Sequence, residues 1–168
     1  MMGEIVGERQ MFSGEQEYEA ALDRVISAAR KTLHVFDIDF TRGGWDSMKR
    51  CEQLQDFLRQ QSVSQPEPAL VIALHDVDWL AAHCPRIVNL LRVYSHAMTI
   101  RQTTEAAHVA ADPFVIADQR HYAHRLYFEH PRSVLALDDP GGALVLEERF
   151  QEILEASYSA VSTMTLGL

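Results

Sequence analysis

Short apolar runs alternate along this chain with segments whose apolar residues recur at helical spacing. The runs are rich in β-branched and aromatic residues, which favours buried strands over helices. Strands that alternate with helices are typical of an α/β fold. We therefore expect a mixed, mostly parallel sheet flanked by helices, with antiparallel strands added late in the chain. The predicted strands are residues 32–40, 69–74, 98–102, 113–117, 120–128 and 133–137.

The helical segments are defined by their apolar faces and by the residues that begin or break them. Ser13 is placed to cap the first helix, with Gln16 reaching back to it. Pro85 divides the segment 77–95 into a short helix and a longer one. The pattern DDPGG predicts a turn before a last helix over residues 143–161.

Length and composition limit the chain to one domain. A chain of 168 residues with 47% hydrophobic residues can bury its own core, with residues 1–12 as an arm or short edge strand and 162–168 as a tail. The sequence has neither a membrane-spanning apolar run nor a signal-like start, so we expect a cytoplasmic protein without membrane contact. Cys51 and Cys84 lack metal or redox spacing and are expected to be free thiols.

The charge is unevenly distributed. A formal net charge of -9 argues against general nucleic-acid binding, which depends on a positive field. Between residues 83 and 132, however, six arginines and six of the eight histidines stand against four acids. This distribution predicts a local basic pocket inside an acidic protein.

The stretch from Asp112 to Arg132 is the main candidate for that pocket. It predicts a hairpin in which Asp118 and Gln119 form the turn, and in its second strand His121 and Arg125 share one face. Guanidinium and imidazole groups on one face suit an anionic ligand. The alternative is that these polar groups are solvated or are satisfied within the core.

His75 is added to this candidate site because it ends the strand 69–74, and ligands of α/β sheets bind beyond the carboxyl ends of strands. The predicted ligand-binding residues are thus His75, Asp118, His121 and Arg125, converging on one cleft. No catalytic residue, metal ligand or cofactor is predicted. Asp76 or Asp78 is expected to cap the following helix rather than to bind metal.

The order of elements resembles one half of the phospholipase D-like superfamily. The resemblance rests on a strand ending in VIAD, on the strand paired with it, and on a last helix containing RFQEILEAS. Active members carry a His-x-Lys-x(4)-Asp motif whose His is the nucleophile and whose Lys steadies the phosphoryl oxygens. With Asp118 as the motif aspartate, the other two positions hold Ala111 and Pro113.

This resemblance implies a catalytically silent single half that binds an anionic ligand or a protein partner. Active members join two halves about a two-fold axis, so it also implies a homodimer. The apolar tail 162–168 and Tyr122 and Tyr127 would supply interface, unless the tail folds back on a monomer. The segments FDIDF, LHD, CPR, YSH, DPFVIADQRHYAHR and TLGL more narrowly resemble a bacterial family of unknown function.

A second hypothesis comes from VFDIDFT, which fits the Asp-x-Asp-x-Thr pattern of haloacid dehalogenase-like phosphatases. Asp37 would then be the nucleophile, Asp39 the general acid and Mg²⁺ the cofactor. That family also uses a downstream lysine, and this chain has none after Lys49.

Overall fold

A computed structural model describes residues 8–161 of the chain, with side chains described up to residue 158. These residues contain eight strands and five α-helices. The strands are β1 Glu8–Ser13, β2 Leu33–Asp37, β3 Leu70–Leu74, β4 Met98–Thr103, β5 Phe114–Ala117, β6 His121–Tyr127, β7 His130–Leu137 and β8 Ser157–Val161. The helices are α1 Glu15–Ala28, α2 Met48–Arg59, α3 Asp78–His83, α4 Pro85–Val93 and α5 Pro140–Glu155, with a 3₁₀ turn at Glu105–Ala107.

All strands belong to one sheet in the order β1-β7-β6-β5-β2-β3-β4-β8. The α/β class with a mixed sheet flanked by helices is confirmed. The antiparallel share is larger than expected, because only the β2–β3 and β3–β4 pairs are parallel and the other five pairs are antiparallel. The cause is that β5 returns beside β2 in the opposite direction, and the meander β5-β6-β7 follows from it.

The sheet separates two hydrophobic cores. Helices α1 to α4 cover one face, where Leu33 and Val35 of β2 are completely buried. Helix α5 covers the other face, where Phe150 packs with Phe36 and Phe114. Because both faces of the central strands are covered, these strands are largely apolar on both sides, as the sequence predicted.

Helix α1 buries the predicted face, which includes Tyr18, Leu22 and Val25. Its N-cap is Gly14, however, and not Ser13, which pairs with Arg132 as the last residue of β1. Of the two alternatives predicted for residues 1–12, the short edge strand is therefore confirmed from Glu8 onward.

The end of the chain differs most from the prediction. Asp139 caps helix α5 by accepting a hydrogen bond from the Gly142 amide, and Pro140 occupies its first turn. The pattern DDPGG thus begins the helix, because proline without an N–H is well tolerated there. The helix ends at Glu155, and residues 157–161, predicted as helix, form an edge strand beside β4.

No helix within residues 8–161 is both long and apolar enough to cross a membrane. The tail 162–168, on which the predicted dimer interface partly depends, lies outside the described residues. The homodimer, the cytoplasmic location and the assignment of the whole chain to one domain stay predictions.

Candidate functional site

A cavity of about 740 Å³ lies beyond the carboxyl ends of β2 and β3. Its walls come from three parts of the chain: the ends of these two strands, the connection between β4 and β5, and the β6–β7 hairpin. We call the connection, residues 104–113, the strap. The lining residues are Ile38, His75, His108, Val109, Ala110, Ala111, Asp112, Leu126, Tyr127, Phe128, Glu129 and His130.

The degenerate motif borders this cavity. Ala111, which stands at the position of the nucleophilic histidine, lines the wall, and Pro113 is buried just before β5. Asp118 lies at the far end of β5, because Ala117 pairs with Leu33 at the amino end of β2. The cavity therefore lies at the end of the sheet where the resemblance places Ala111 and Pro113.

His75 holds the strap in place. Its Nε2 is 2.7 Å from the carbonyl oxygen of Ala110, which can only accept, so Nε2 carries the proton. Its Nδ1 is 2.6 Å from the hydroxyl of Thr103. Burial lowers the pKa of His75, which favours the neutral ring. Both nitrogens are thus committed inside the protein, and His75 positions the cavity wall.

Two other histidines remain accessible at the cavity. His108 is exposed and packs against His75, with 4.5 Å between ring centroids, and His130 is exposed at the start of β7. The rim also carries apolar side chains, since Val109 is 91% exposed and Tyr127 is 62% exposed. The site therefore offers imidazole donors beside an apolar surface.

The side chain of Asp112 is held by a guanidinium group and an imidazole ring. Its carboxylate accepts two hydrogen bonds of 2.6 Å from the guanidinium of Arg149 on α5. His124 on β6 contacts the same carboxylate through Nε2 at 2.7 Å. These contacts hold the pKa of Asp112 well below its usual range despite burial. Sequence reasoning missed this cluster because its members are separated along the chain.

Asp118 has a structural role at the opposite ends of the strands, away from the cavity. Its carboxylate accepts hydrogen bonds from the backbone amides of Arg30, Lys31 and Thr32 at 2.7–3.1 Å. These amides belong to the connection between α1 and β2, so Asp118 clamps that connection to the hairpin turn. The turn itself is confirmed, since Asp118 and Gln119 both have positive φ.

Arg125 and His121 are also engaged inside the protein. Arg125 is completely buried under α1, where it forms two 2.8 Å bonds to Glu15 and lies over the ring of Tyr18. His121 accepts a hydrogen bond from the Asp138 amide through Nδ1 at 2.9 Å. The predicted alternation of β6 is correct, but the face of Arg125 is covered by α1 and is not open to a ligand.

The expectation that His75, Asp118, His121 and Arg125 converge on one cleft is therefore wrong. His75 lies at the carboxyl ends of β2 and β3. Asp118 and His121 lie at the amino ends of these strands, and Arg125 is buried beneath α1. The physical reason is that β5 runs antiparallel to β2 and β3, so the β5–β6 turn lies at the amino ends of these strands while His75 follows the carboxyl end of β3.

The phosphatase hypothesis receives no support. Asp37 is 1% exposed, and burial raises its pKa to about 7. Asp39 accepts hydrogen bonds from the amide and hydroxyl of Thr41, which closes a turn. A nucleophile must be reached by its substrate, and Asp37 is covered. Within the described part of the chain, no cluster of histidine, cysteine and acidic residues could hold a metal ion.

Solved structures of phospholipase D relatives share this fold. Nuc from Salmonella typhimurium, a phospholipase D family member, has a TM-score of 0.65 at 11% identity, and the alignment covers 94% of this chain and 100% of Nuc. NucT from Helicobacter pylori has a TM-score of 0.56 at 13% identity, covering 92% of this chain and 99% of NucT. The resemblance inferred from element order is thus confirmed at the level of the fold.

The prediction of no general nucleic-acid binding is contradicted by a third structure. TrmBL2, an archaeal chromatin protein with a novel mode of DNA binding, has a TM-score of 0.64 at 12% identity. The alignment covers 95% of this chain but 56% of TrmBL2, so this chain spans about half of that protein. Net charge alone therefore does not exclude nucleic-acid binding by a protein of this fold, because binding depends on the local arrangement of charges.

No curated protein matches this sequence. A family model described as a domain of unknown function, DUF7931, matches residues 14–165. The match covers all the elements described above except β1. On this match, together with its phospholipase D-like fold, the chain belongs to the DUF7931 family.

Proposed function

We propose that this protein is a non-catalytic phospholipase D-like module that binds a phosphodiester-containing anionic ligand in the cavity beside the strap. One observation carries the proposal. A cavity of about 740 Å³ is present, and the two motif positions beside it hold Ala111 and Pro113 in place of histidine and lysine. A binding site without its nucleophile retains recognition and loses turnover.

The replacement residues support the loss of catalysis. Ala111 has no nucleophilic atom, so it cannot form a covalent phosphoryl intermediate. Pro113 has neither a charged side chain nor a backbone N–H, so it cannot stabilise a phosphoryl oxygen. His75 does not replace the nucleophile, because both of its nitrogens are engaged.

The cavity's remaining groups favour an anion with an apolar part. His108 and His130 supply imidazole donors, while Val109, Tyr127 and Leu126 supply apolar surface. Nucleotide units combine a phosphate with a planar base that stacks on aromatic rings. The DNA binding of the archaeal chromatin protein with the same fold makes an oligonucleotide the first ligand to test.

Binding can be tested by fluorescence anisotropy with labelled single-stranded and duplex oligonucleotides at low salt. We expect binding by the native chain, weakened several-fold when His108 or His130 is replaced by alanine. His96→Ala provides a matched control, because His96 is exposed and lies outside the cavity lining.

Two results would overturn the proposal. One is the absence of binding by the folded protein to the oligonucleotides and to a non-nucleotide phosphodiester such as glycerophosphocholine. The other is steady turnover of a phosphodiester, which would contradict the non-catalytic assignment. Loss of binding in His96→Ala equal to that in His108→Ala would place the site elsewhere.

A further inference from the structure

Arg149 lies on α5 and faces the strap. Its guanidinium forms an ion pair with a carboxylate of the strap itself. Both of its terminal nitrogens donate to Asp112, and His124 contacts the same carboxylate from β6. An arginine fork and an imidazole around two oxygens form the geometry that also recognises a phosphate group. The Asp112 carboxylate thus makes the contacts that an anionic ligand could make.

The cluster is accessible to solvent from two sides. Asp112 lines the large cavity, while Arg149 lines a neighbouring cavity of about 290 Å³ on the other side of the strap. The side chains of Arg149, Asp112 and His124 are 34%, 21% and 19% exposed. A ligand oxygen can therefore approach Arg149 without prior unfolding of the core.

The position of Asp112 links this cluster to the proposed ligand site. Asp112 stands between Ala111 and Pro113, the two positions where the motif has lost its histidine and lysine. Within the described residues, Arg149 donates only to Asp112, so its Nε–H and the second hydrogens of its terminal nitrogens are not engaged. The charge of Arg149 is therefore neutralised by Asp112, which lies between the two motif positions.

We propose that Arg149 and His124 form the phosphate-binding pair of this protein and that Asp112 is a built-in competitor that the ligand's phosphate displaces. This inference rests on the proposed function and names the residues that would recognise the phosphodiester. Displacement exchanges one anion for another beside Arg149, so the charge of this arginine stays compensated. The competitor lowers the affinity for the ligand, and the strap moves when the ligand binds.

Asp112→Asn tests the competition directly. Asparagine keeps the size of the side chain and removes the charge, so we expect the labelled oligonucleotide to bind on the order of tenfold more tightly, the value of about one charge-assisted hydrogen bond. Asp112→Ala should also tighten binding. It replaces Asp112→Asn as the test if the asparagine side chain keeps its contact with Arg149. Arg149→Gln combined with Asp112→Asn should abolish the gain.

Glu129→Gln is the matched control. It removes one negative charge from the same cavity wall, and Glu129 makes no contact with Arg149. A general electrostatic effect would tighten binding equally in Glu129→Gln and Asp112→Asn, and that result would overturn the inference. Side-chain NMR signals of Arg149 give a second readout, because they should shift when dimethyl phosphate is added to Asp112→Asn.

The outcomes separate this inference from the proposed function. If the native chain binds through His108 and His130 but folded Asp112→Asn and Asp112→Ala bind no more tightly, the inference fails and the function stands. If the native chain and both Asp112 variants are folded and none binds a phosphodiester, both fail. Thermal unfolding of each variant establishes that it is folded.

Discussion

Arg125 was predicted to contact a ligand, but in the structure it connects two elements of the fold. The guanidinium is completely buried, bonds to both oxygens of Glu15 and also donates to the carbonyl oxygens of Tyr127 and Phe128. It therefore fixes the end of β6 to the start of α1. A residue of this type can be exchanged only at a cost in stability.

We expect Arg125→Leu to lower the free energy of unfolding by roughly 2 to 4 kcal/mol. The substitution leaves two backbone carbonyls without donors, while Glu15 is half exposed and can be solvated. Urea unfolding measures the change. Arg132→Leu, at an exposed position on the neighbouring strand, is the control and should stay within about 0.5 kcal/mol of the native chain.

Asp37 predicts a pH dependence of stability. Burial, with the charge of Asp39 adding to it, raises its pKa from the ordinary value of 3.8 to about 7. The folded chain therefore keeps a proton that the unfolded chain releases as the pH rises from about 4 to about 7. This stabilisation is full below pH 4 and is lost as the pH approaches 7.

Asp37→Asn should remove this dependence, because asparagine is neutral at every pH and can still accept the Ile38 amide bond. The free energy of unfolding of the native chain should fall relative to Asp37→Asn by a few kcal/mol between pH 4 and 7 and level off above that, at about 1.4 kcal/mol per pKa unit. Parallel curves for the two chains would contradict the expectation. Asp56→Asn, at an exposed position, is the control.

At the scale of elements, the β5–β6 turn joins two parts of the fold. Asp118 and Gln119 have φ of 54° and 58°, the left-handed region that glycine tolerates best. Asp118 in addition clamps three amides of the connection between α1 and β2. The two positions share a backbone requirement and differ in their side-chain contacts.

The same substitution at both positions separates these effects. Gln119→Gly relieves the backbone strain alone and should stabilise the protein by up to about 1 kcal/mol. Asp118→Gly also removes the carboxylate clamp, so it should destabilise the protein by roughly 2 kcal/mol. Thermal unfolding measures both. Equal effects of the two substitutions would show that the clamp contributes nothing.

At the scale of the whole molecule, the sheet predicts an order of local stability. Strands β2 and β5 lie in the middle of the sheet and are covered on both faces, whereas β1 and β8 lie at its two edges among the described residues. Amide hydrogen exchange measured by mass spectrometry should be slowest in β2 and β5 and fastest in β1 and β8. Edge strands as protected as the centre would show that another segment or a second chain covers them.

The sequence by itself determined the order of most elements and the hairpin turn. These features depend on local chemistry: β-branched runs form strands, helical spacing forms amphipathic helices, and a two-residue polar turn closes a hairpin. Even there, the edge strand β8 was missed, since its pairing with β4 comes from residues more than fifty positions away.

Only the tertiary structure decided which charged groups are available to a ligand. Glu15 and Arg125 are 110 residues apart, Arg30 and Asp118 are 88 apart, and Asp112 and Arg149 are 37 apart. A charged side chain that is buried needs a partner, and the partner is supplied by whichever element packs against it. Residue types in a sequence therefore indicate what a site can contain, while packing determines which of them the protein keeps for its own structure.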